Sequence, residues 1–135
     1  MRQKSTFNND PISDMLTRIR NAQILHQRTV QIPWTRMTEQ ILAVFEREGF
    51  ICGTERLDEQ TLQVTLKYEP LTQKSCITNL KRLSKPGLRL YANSKEIPEV
   101  LGGMGVLVLS TSQGIITDRD AKARKIGGEL VCSIW

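Results

Sequence analysis

The sequence predicts an α+β protein of two small domains, an N-terminal α-β-α-β-β unit over residues 1–70 and a β-rich unit with short helices over residues 71–135. Three observations predict it. Apolar residues recur at helical spacing in two early stretches, and they alternate strictly in the strands that follow. Helix boundaries are marked by Asp10-Pro11 and Gly49, and turns by Asp58-Glu59-Gln60 and Pro86-Gly87. The charge balance changes at Pro70: residues 37–70 carry three basic and seven acidic side chains, residues 71–135 ten and five.

Taken in order, Asp10 caps a helix with Pro11 in its first turn, where a missing N–H costs nothing. Ile12, Met15, Leu16, Ile19 and Ala22 form its apolar stripe; Asp14, Thr17, Arg18 and Asn21 gather on the opposite face. Residues 29–32 make a short strand ended by Pro33. Thr35 or Thr38 caps the second helix, whose apolar side is Met37, Ile41, Val44 and Phe45 and whose stop is Gly49, with Phe50 packing back. Strands follow at 50–52 and at Leu62, Val64, Leu66 and Tyr68, giving a three-stranded sheet covered by two helices.

Beyond Pro70, residues 77–83 read as a short strand or turn. After Pro86-Gly87, Leu88, Leu90 and Ala92 alternate with Arg89 and Tyr91. One helical turn is expected over 96–101. Gly102-Gly103-Met104-Gly105 lacks the spacing of a phosphate-binding loop, so tight backbone packing is the better account. An apolar strand over 106–109 runs into the hydroxyl-rich Ser110-Thr111-Ser112, ahead of Gly114. Thr117 caps a charged helix, with Asp120 completing a capping box and Gly127-Gly128 as the stop. The last strand, 129–135, puts Leu130, Cys132 and Ile134 on one face.

Composition excludes several classes. With 135 residues, 39% apolar and 24% charged, this is a folded protein with a modest core and no room for a large enzyme cleft. No apolar run is long enough to span a bilayer. The polar N-terminus has neither the centre of a secretory signal nor the form of a transit peptide, so the chain is expected to act where it is made. Three widely spaced cysteines, Cys52, Cys76 and Cys132, and one histidine, His26, exclude a structural zinc site and a disulfide framework. Reduced cysteines buried as small hydrophobes are expected, with no metal and no cofactor.

The candidate site joins two features. Residues 71–95 carry Lys74, Lys81, Arg82, Lys85, Arg89 and Lys95 and no carboxylate, which suits a polyanion, the alternative being a solvated basic face. Lys81, Arg82, Lys85 and Arg89 are the expected phosphate contacts, and Tyr91 beside Arg89 either stacks on an unpaired base or packs in the interior. Ser110, Thr111 and Ser112 present hydroxyls and backbone amides at the tip of a rigid strand. Thr17, Arg18 and Asn21 add short hydrogen-bonding groups suited to a sugar–phosphate backbone. A hydrolase using Ser110 or Ser112 would need a base, and His26 lies in the other half with no Gly-x-Ser-x-Gly elbow anywhere. The same surface would also serve a messenger-binding repressor.

The chain resembles the small-subunit ribosomal protein eight family in its bacterial and organellar form. The resemblance is carried by Asp10-Pro11-Ile12-Ser13-Asp14-Met15-Leu16-Thr17-Arg18-Ile19-Arg20-Asn21-Ala22, by Glu48-Gly49-Phe50-Ile51, and by Ser84-Lys85-Pro86-Gly87-Leu88-Arg89-Leu90-Tyr91. It is strongest over Ser110-Thr111-Ser112-Gln113-Gly114-Ile115-Ile116-Thr117-Asp118-Arg119 and Gly127-Gly128-Glu129. It implies a non-enzymatic, primary binder of small-subunit (16S-type) rRNA, docking on the central domain and needed for assembly of the small-subunit platform. Implied neighbours are other small-subunit proteins, the fifth among them; neither a membrane nor a small-molecule substrate is implied. RNA-facing positions carried over are Ser110, Thr111, Ser112, Tyr91 and Glu129, and Glu129 is expected to accept hydrogen bonds from the hydroxyl loop and fix its rotamers. Lys122 and Ser133 depart from the family's usual arginine and aromatic, and nothing is carried over to residues 1–8. The Gly-Gly-Met-Gly run and terminal tryptophan resemble plastid and cyanobacterial members, so the chloroplast stroma is expected, with bacterial cytoplasm the alternative.

Overall fold

A computed structural model describes residues 10–135. The expectations for residues 1–8, and for Asn9 ahead of the first helix, lie outside the described residues. The order of elements is α1 (Pro11–Ile24), β1 (Thr29–Pro33), α2 (Arg36–Arg47), β2 (Ile51–Arg56), β3 (Thr61–Leu66), β4 (Leu80–Arg82), β5 (Tyr91–Ala92), β6 (Val106–Thr111), β7 (Gly114–Thr117), α3 (Asp118–Arg124) and β8 (Gly128–Ile134). The strands before Pro70 form an antiparallel sheet of order β1-β3-β2. Those after it form a second sheet of order β4-β8-β6-β7, with β5 beside β8. This is the expected α+β class.

The helix ends follow from local chemistry. Asp10 accepts from Ser13 N at 3.2 Å. Thr35 and Thr38 both act at the start of α2, Thr35 as cap and Thr38 as its reciprocal partner. At its end the Gly49 and Phe50 N–H groups reach Glu46 O and Phe45 O at 3.1 and 2.9 Å, with Gly49 left-handed at φ 87°. The α1 stripe is buried throughout. Along α2, Thr38 and Leu42 shift the buried arc to one side, so Met37 sits at its margin, 37% exposed.

One apolar cluster runs through both sheets. It joins the α1 stripe, Ile41, Phe45, Leu62 and Val64 to Ile77, Leu80, Val106, Val108, Val131, Cys132 and Ile134. A smaller cluster on the other side of the second sheet holds Leu107, Leu109, Ile116 and Ala121. Side-chain hydrogen bonds cross between the halves, Gln23 Nε2 to Ser75 Oγ among them. Arg20 Nη2 donates to Leu80 O at 2.9 Å, and Arg82 bonds Asp10 and Val131 O. Of the three cysteines only Cys132 is buried, its thiol pushed up to about 12 by burial; Cys76 is half-buried and Cys52 exposed. The expectation of buried thiols therefore holds for one of them.

Several boundaries differ from expectation. β2 extends to Arg56, and Tyr68 lies past the end of β3, bridged to Ser75. Residues 96–101 form no α-helical turn; a 3-10 turn follows at Leu101–Gly103 instead. Tight packing, expected of the whole glycine run, holds only at Gly105, where a Cβ would strike Val100 and lie 3.1 Å from Trp135 Cβ; Gly102 and Gly103 have room for one but stand at φ 61° and 96°, so their role is in the turn. α3 stops on left-handed Lys125 rather than at the glycines, and Asp120 contributes its backbone N–H to Thr117 without the return bond of a capping box.

The largest difference is in β8. Val108 pairs with Cys132 and Leu109 with Leu130, so Val131 is an extra residue, a bulge. One inserted residue reverses the alternation. Leu130 consequently joins the smaller cluster, on the opposite face from Cys132 and Ile134.

Candidate nucleic-acid interface

β6 leaves the core after Leu109 and turns over within two residues. Thr111 pairs with Gly114, leaving Ser112 and Gln113 as the turn. Gly114 has φ 100°, which follows a tight turn only where no Cβ interferes. The Thr111 hydroxyl donates to Gly114 O at 2.9 Å and accepts from Gln113 N at 3.1 Å. Thr111 therefore staples the turn. Among the described residues, the hydroxyls of Ser110 and Ser112 form no hydrogen bond, and Ser112 is exposed.

Tyr91 and Ser110 meet across β8. In the antiparallel register Tyr91 lies opposite Glu129, and Glu129 lies opposite Ser110. Residues directly opposite share a face of the sheet, so the three form a row about 10 Å wide, two strand spacings. It is the face that carries Val106 and Val108 lower on β6, where the shared core covers them. At Ser110 that cover ends. Tyr91 is 70% exposed, which rules out an interior packing role. Leu88 and Leu90 are also exposed, and only Tyr91–Ala92 of the expected strand is formed.

Glu129 is not bonded to the hydroxyl tip. Its Oε2 accepts from Arg89 Nη1 at 2.9 Å, and this pairing holds the guanidinium beside Tyr91 and raises the Arg89 pKa from its ordinary value. The carboxylate orients a cation instead of the serines.

Two supports of this face were not foreseen. Ser84 is fully buried, and its hydroxyl donates to Leu90 O at 3.2 Å and accepts from Leu90 N at 2.8 Å, closing the base of the loop that carries Lys85 and Arg89. Gly127 and Gly128 let β8 run against its neighbours. A Cβ on Gly127 would fall on Ala92 O and 2.7 Å from Asn93 Cα; one on Gly128 would fall on Ser110 O and 2.9 Å from Thr111 Cγ2. By residue type the glycines signal only a helix stop, and nothing in the sequence marks Ser84, whose partner is set by the fold. Ser84→Ala should leave Leu90 N unsatisfied and cost about 1–3 kcal/mol in urea unfolding.

The remaining candidates divide. Lys85 on the Pro86-Gly87 turn is exposed. Lys81 on β4 is exposed too, but it lies opposite Ser133, and Ser133 opposite Leu107, which puts it on the other face of the sheet from the Tyr91–Ser110 row. Arg82 turns inward: its side chain is 8% exposed, with Nε 3.1 Å from Asp10 Oδ2 and Nη1 donating to Val131 O at 2.7 Å. Burial pulls the Asp10 carboxyl up, but bonds from Ser13 and Arg82 outweigh it and leave the group below its ordinary value. Arg82 thus ties α1 to the second sheet and is removed from the free cations. Thr17 and Asn21 are exposed on α1. Arg18 pairs with Asp14 at 3.0 Å and donates to Gln31 O. Among the described residues no bond joins these three to the Tyr91–Ser110 row.

The arrangement sets an exposed aromatic ring, a held guanidinium and a hydroxyl turn along one face, with the exposed Lys85 on the loop that carries the guanidinium. Residues 10–135 match the profile of the family described as Ribosomal protein S8. The small ribosomal subunit protein uS8c of Tetradesmus obliquus is 54% identical over 135 residues, covering 94% of this chain and 98% of that protein. The uS8 of Microcystis aeruginosa is 53% identical over 130 residues, and the uS8c of Marchantia polymorpha 51% over 130, each with 94% of this chain and 98% of the relative covered.

Proposed function

Because the chain belongs to the ribosomal protein S8 family, a family of structural ribosome constituents and not of enzymes, we propose that it binds small-subunit rRNA through the Tyr91–Glu129–Ser110 face. Its uS8c relatives assign it to the small subunit of the plastid ribosome. The RNA bound is a folded segment of the central domain, and binding there serves assembly of the platform, beside neighbouring small-subunit proteins that include the fifth. Residues 71–135 act as the rRNA-binding unit; residues 1–70 offer a second strip through Thr17, Arg18 and Asn21.

The cross-strand register carries this reading, because it aligns the exposed Tyr91 ring with the Ser110–Ser112 tip on one face. The A-form major groove is too narrow for side chains, which leaves sugar hydroxyls, phosphates and splayed bases as the accessible features. Ser110 and Ser112 fit the first, Lys85 and Arg89 the second, and Tyr91 the third.

Affinities should be measured for a transcript of the small-subunit rRNA central domain and for an unrelated duplex, across several salt concentrations. Tyr91→Ala and Ser112→Ala are expected to weaken the cognate transcript about tenfold and spare the duplex, since base stacking and fitted hydrogen bonds contribute roughly 1–3 kcal/mol. Lys85→Ala should weaken both RNAs alike and flatten the salt slope by about one. Equal losses from all three variants on both RNAs would overturn the assignment.

A further inference from the structure

α3 ends on a lysine in a conformation that favours glycine. Lys125 has φ 58° and ψ 42°, with its N–H bonded to Lys122 O at 3.1 Å and the Ile126 N–H to Ala121 O at 3.0 Å, the two bonds of a Schellman stop. A Cβ is disfavoured there, and glycine or asparagine is the usual occupant. Other polar residues with positive φ have local compensation. His26 stacks on Tyr68 at 5.3 Å, and the Gln73 side chain closes its turn on Pro70 O at 3.0 Å. Among the described residues the exposed Lys125 side chain makes no hydrogen bond or ion pair. What lysine adds over glycine is an ammonium on a long stem.

Its position gives that charge a use. One residue before it, Arg124 Nη1 donates to Gln113 Oε1 at 3.0 Å, on the hairpin turn itself. Three residues after it, Gly128 lies against Ser110 O and Thr111 Cγ2. The backbone at Lys125 is thus bracketed by two contacts to the tip, and three residues of chain reach no further than about 10 Å. Nearby cations already have partners: Lys122 faces Glu99 at 4.0 Å, Arg119 donates to Gly103 O, and Arg89, half of whose side chain still faces solvent, pairs with Glu129. Lys125 and Arg124 are the cations next to the tip that face no carboxylate among the described residues.

We infer that Lys125 is a phosphate-binding residue of the RNA interface, taking a backbone phosphate of the strand that crosses the Ser112 tip, with Arg124 set beside it by Gln113. The inference rests on the RNA-binding reading above. An ammonium is a compact point charge suited to a phosphate whose approach angle is not fixed, so lysine is retained here despite its backbone strain.

Strain and function predict opposite signs. Lys125→Gly should raise Tm by about 2–5 °C. It should also weaken the central-domain transcript about fivefold near 0.1 M salt and lower the slope of log K against log salt by about one. Lys125→Asn, which tolerates the same backbone, should show the same loss of affinity and slope. Stabilisation with unchanged affinity and slope overturns the inference while leaving the Tyr91 and Ser112 results standing. Failure of the unaltered chain to prefer the transcript over the unrelated duplex overturns both.

Discussion

Gly128→Ala should destabilise the protein by about 3 kcal/mol or more and lower Tm by roughly 10 °C, although it adds a single methyl group. The methyl has nowhere to go. Its carbon would sit on Ser110 O and 2.9 Å from Thr111 Cγ2, and the first of these is backbone, which yields only if β6 and β8 separate. Separation at that point breaks the Ser110–Glu129 pairing and tilts the hairpin tip away from Tyr91. RNA affinity should therefore fall even for the molecules that remain folded. Gly127→Ala should behave alike, because Ala92 O and Asn93 Cα are also backbone. Gly87→Ala is the control: nothing lies within 4 Å of its added carbon, and the change should stay within about 0.5 kcal/mol. Thermal unfolding of the three variants tests this, and a neutral Gly128→Ala would show that the tip is not held by β8.

Arg82→Ala should cost about 3–5 kcal/mol, comparable to a lost core side chain, and leave RNA affinity per folded molecule unchanged. The guanidinium is 8% exposed and Asp10 13%, so the pair is mostly screened from solvent, and removal of one partner leaves a carboxylate with less compensation. Lys85→Ala, three residues away and exposed, should do the reverse: little change in stability, weaker RNA binding and a shallower salt slope. Acidity separates the two effects further. The Asp10 carboxyl is held below its ordinary value when folded, so the unfolded chain protonates first as pH falls, and the pair's contribution is full above the unfolded carboxylate pKa of about 4. The stability gap between the native chain and Arg82→Ala should narrow below that pH. A gap independent of pH would show that Asp10 is not Arg82's energetic partner.

Much of this molecule was legible in the residues. Caps and stops at Asp10, Thr35 and Gly49 are short-range chemistry, and all three act as read. The α1 stripe and the alternation of Leu62, Val64 and Leu66 each count out one buried face. The serine tip and the exposed tyrosine were found by residue type. The failures share a physical cause, which is that each depends on a neighbour distant in the chain. Leu88 and Leu90 alternate like a buried strand, yet among the described residues no element covers that edge and both are exposed. Glu129 has Arg89 as its partner 40 residues away.

What the sequence by itself determined is therefore the set of elements, their caps, the family and the chemical groups offered to a partner, since these are written in spacings of a few residues. Two assignments were decided only in three dimensions. Arg82 was counted among cations for phosphate until Asp10, 72 residues earlier, turned it inward. The face on which Glu129 stands depends on the single extra residue at Val131, a mismatch between two strands that neither strand's own pattern contains. Side-chain direction alternates residue by residue, so one insertion in the pairing reverses everything beyond it, and pairing belongs to the folded molecule.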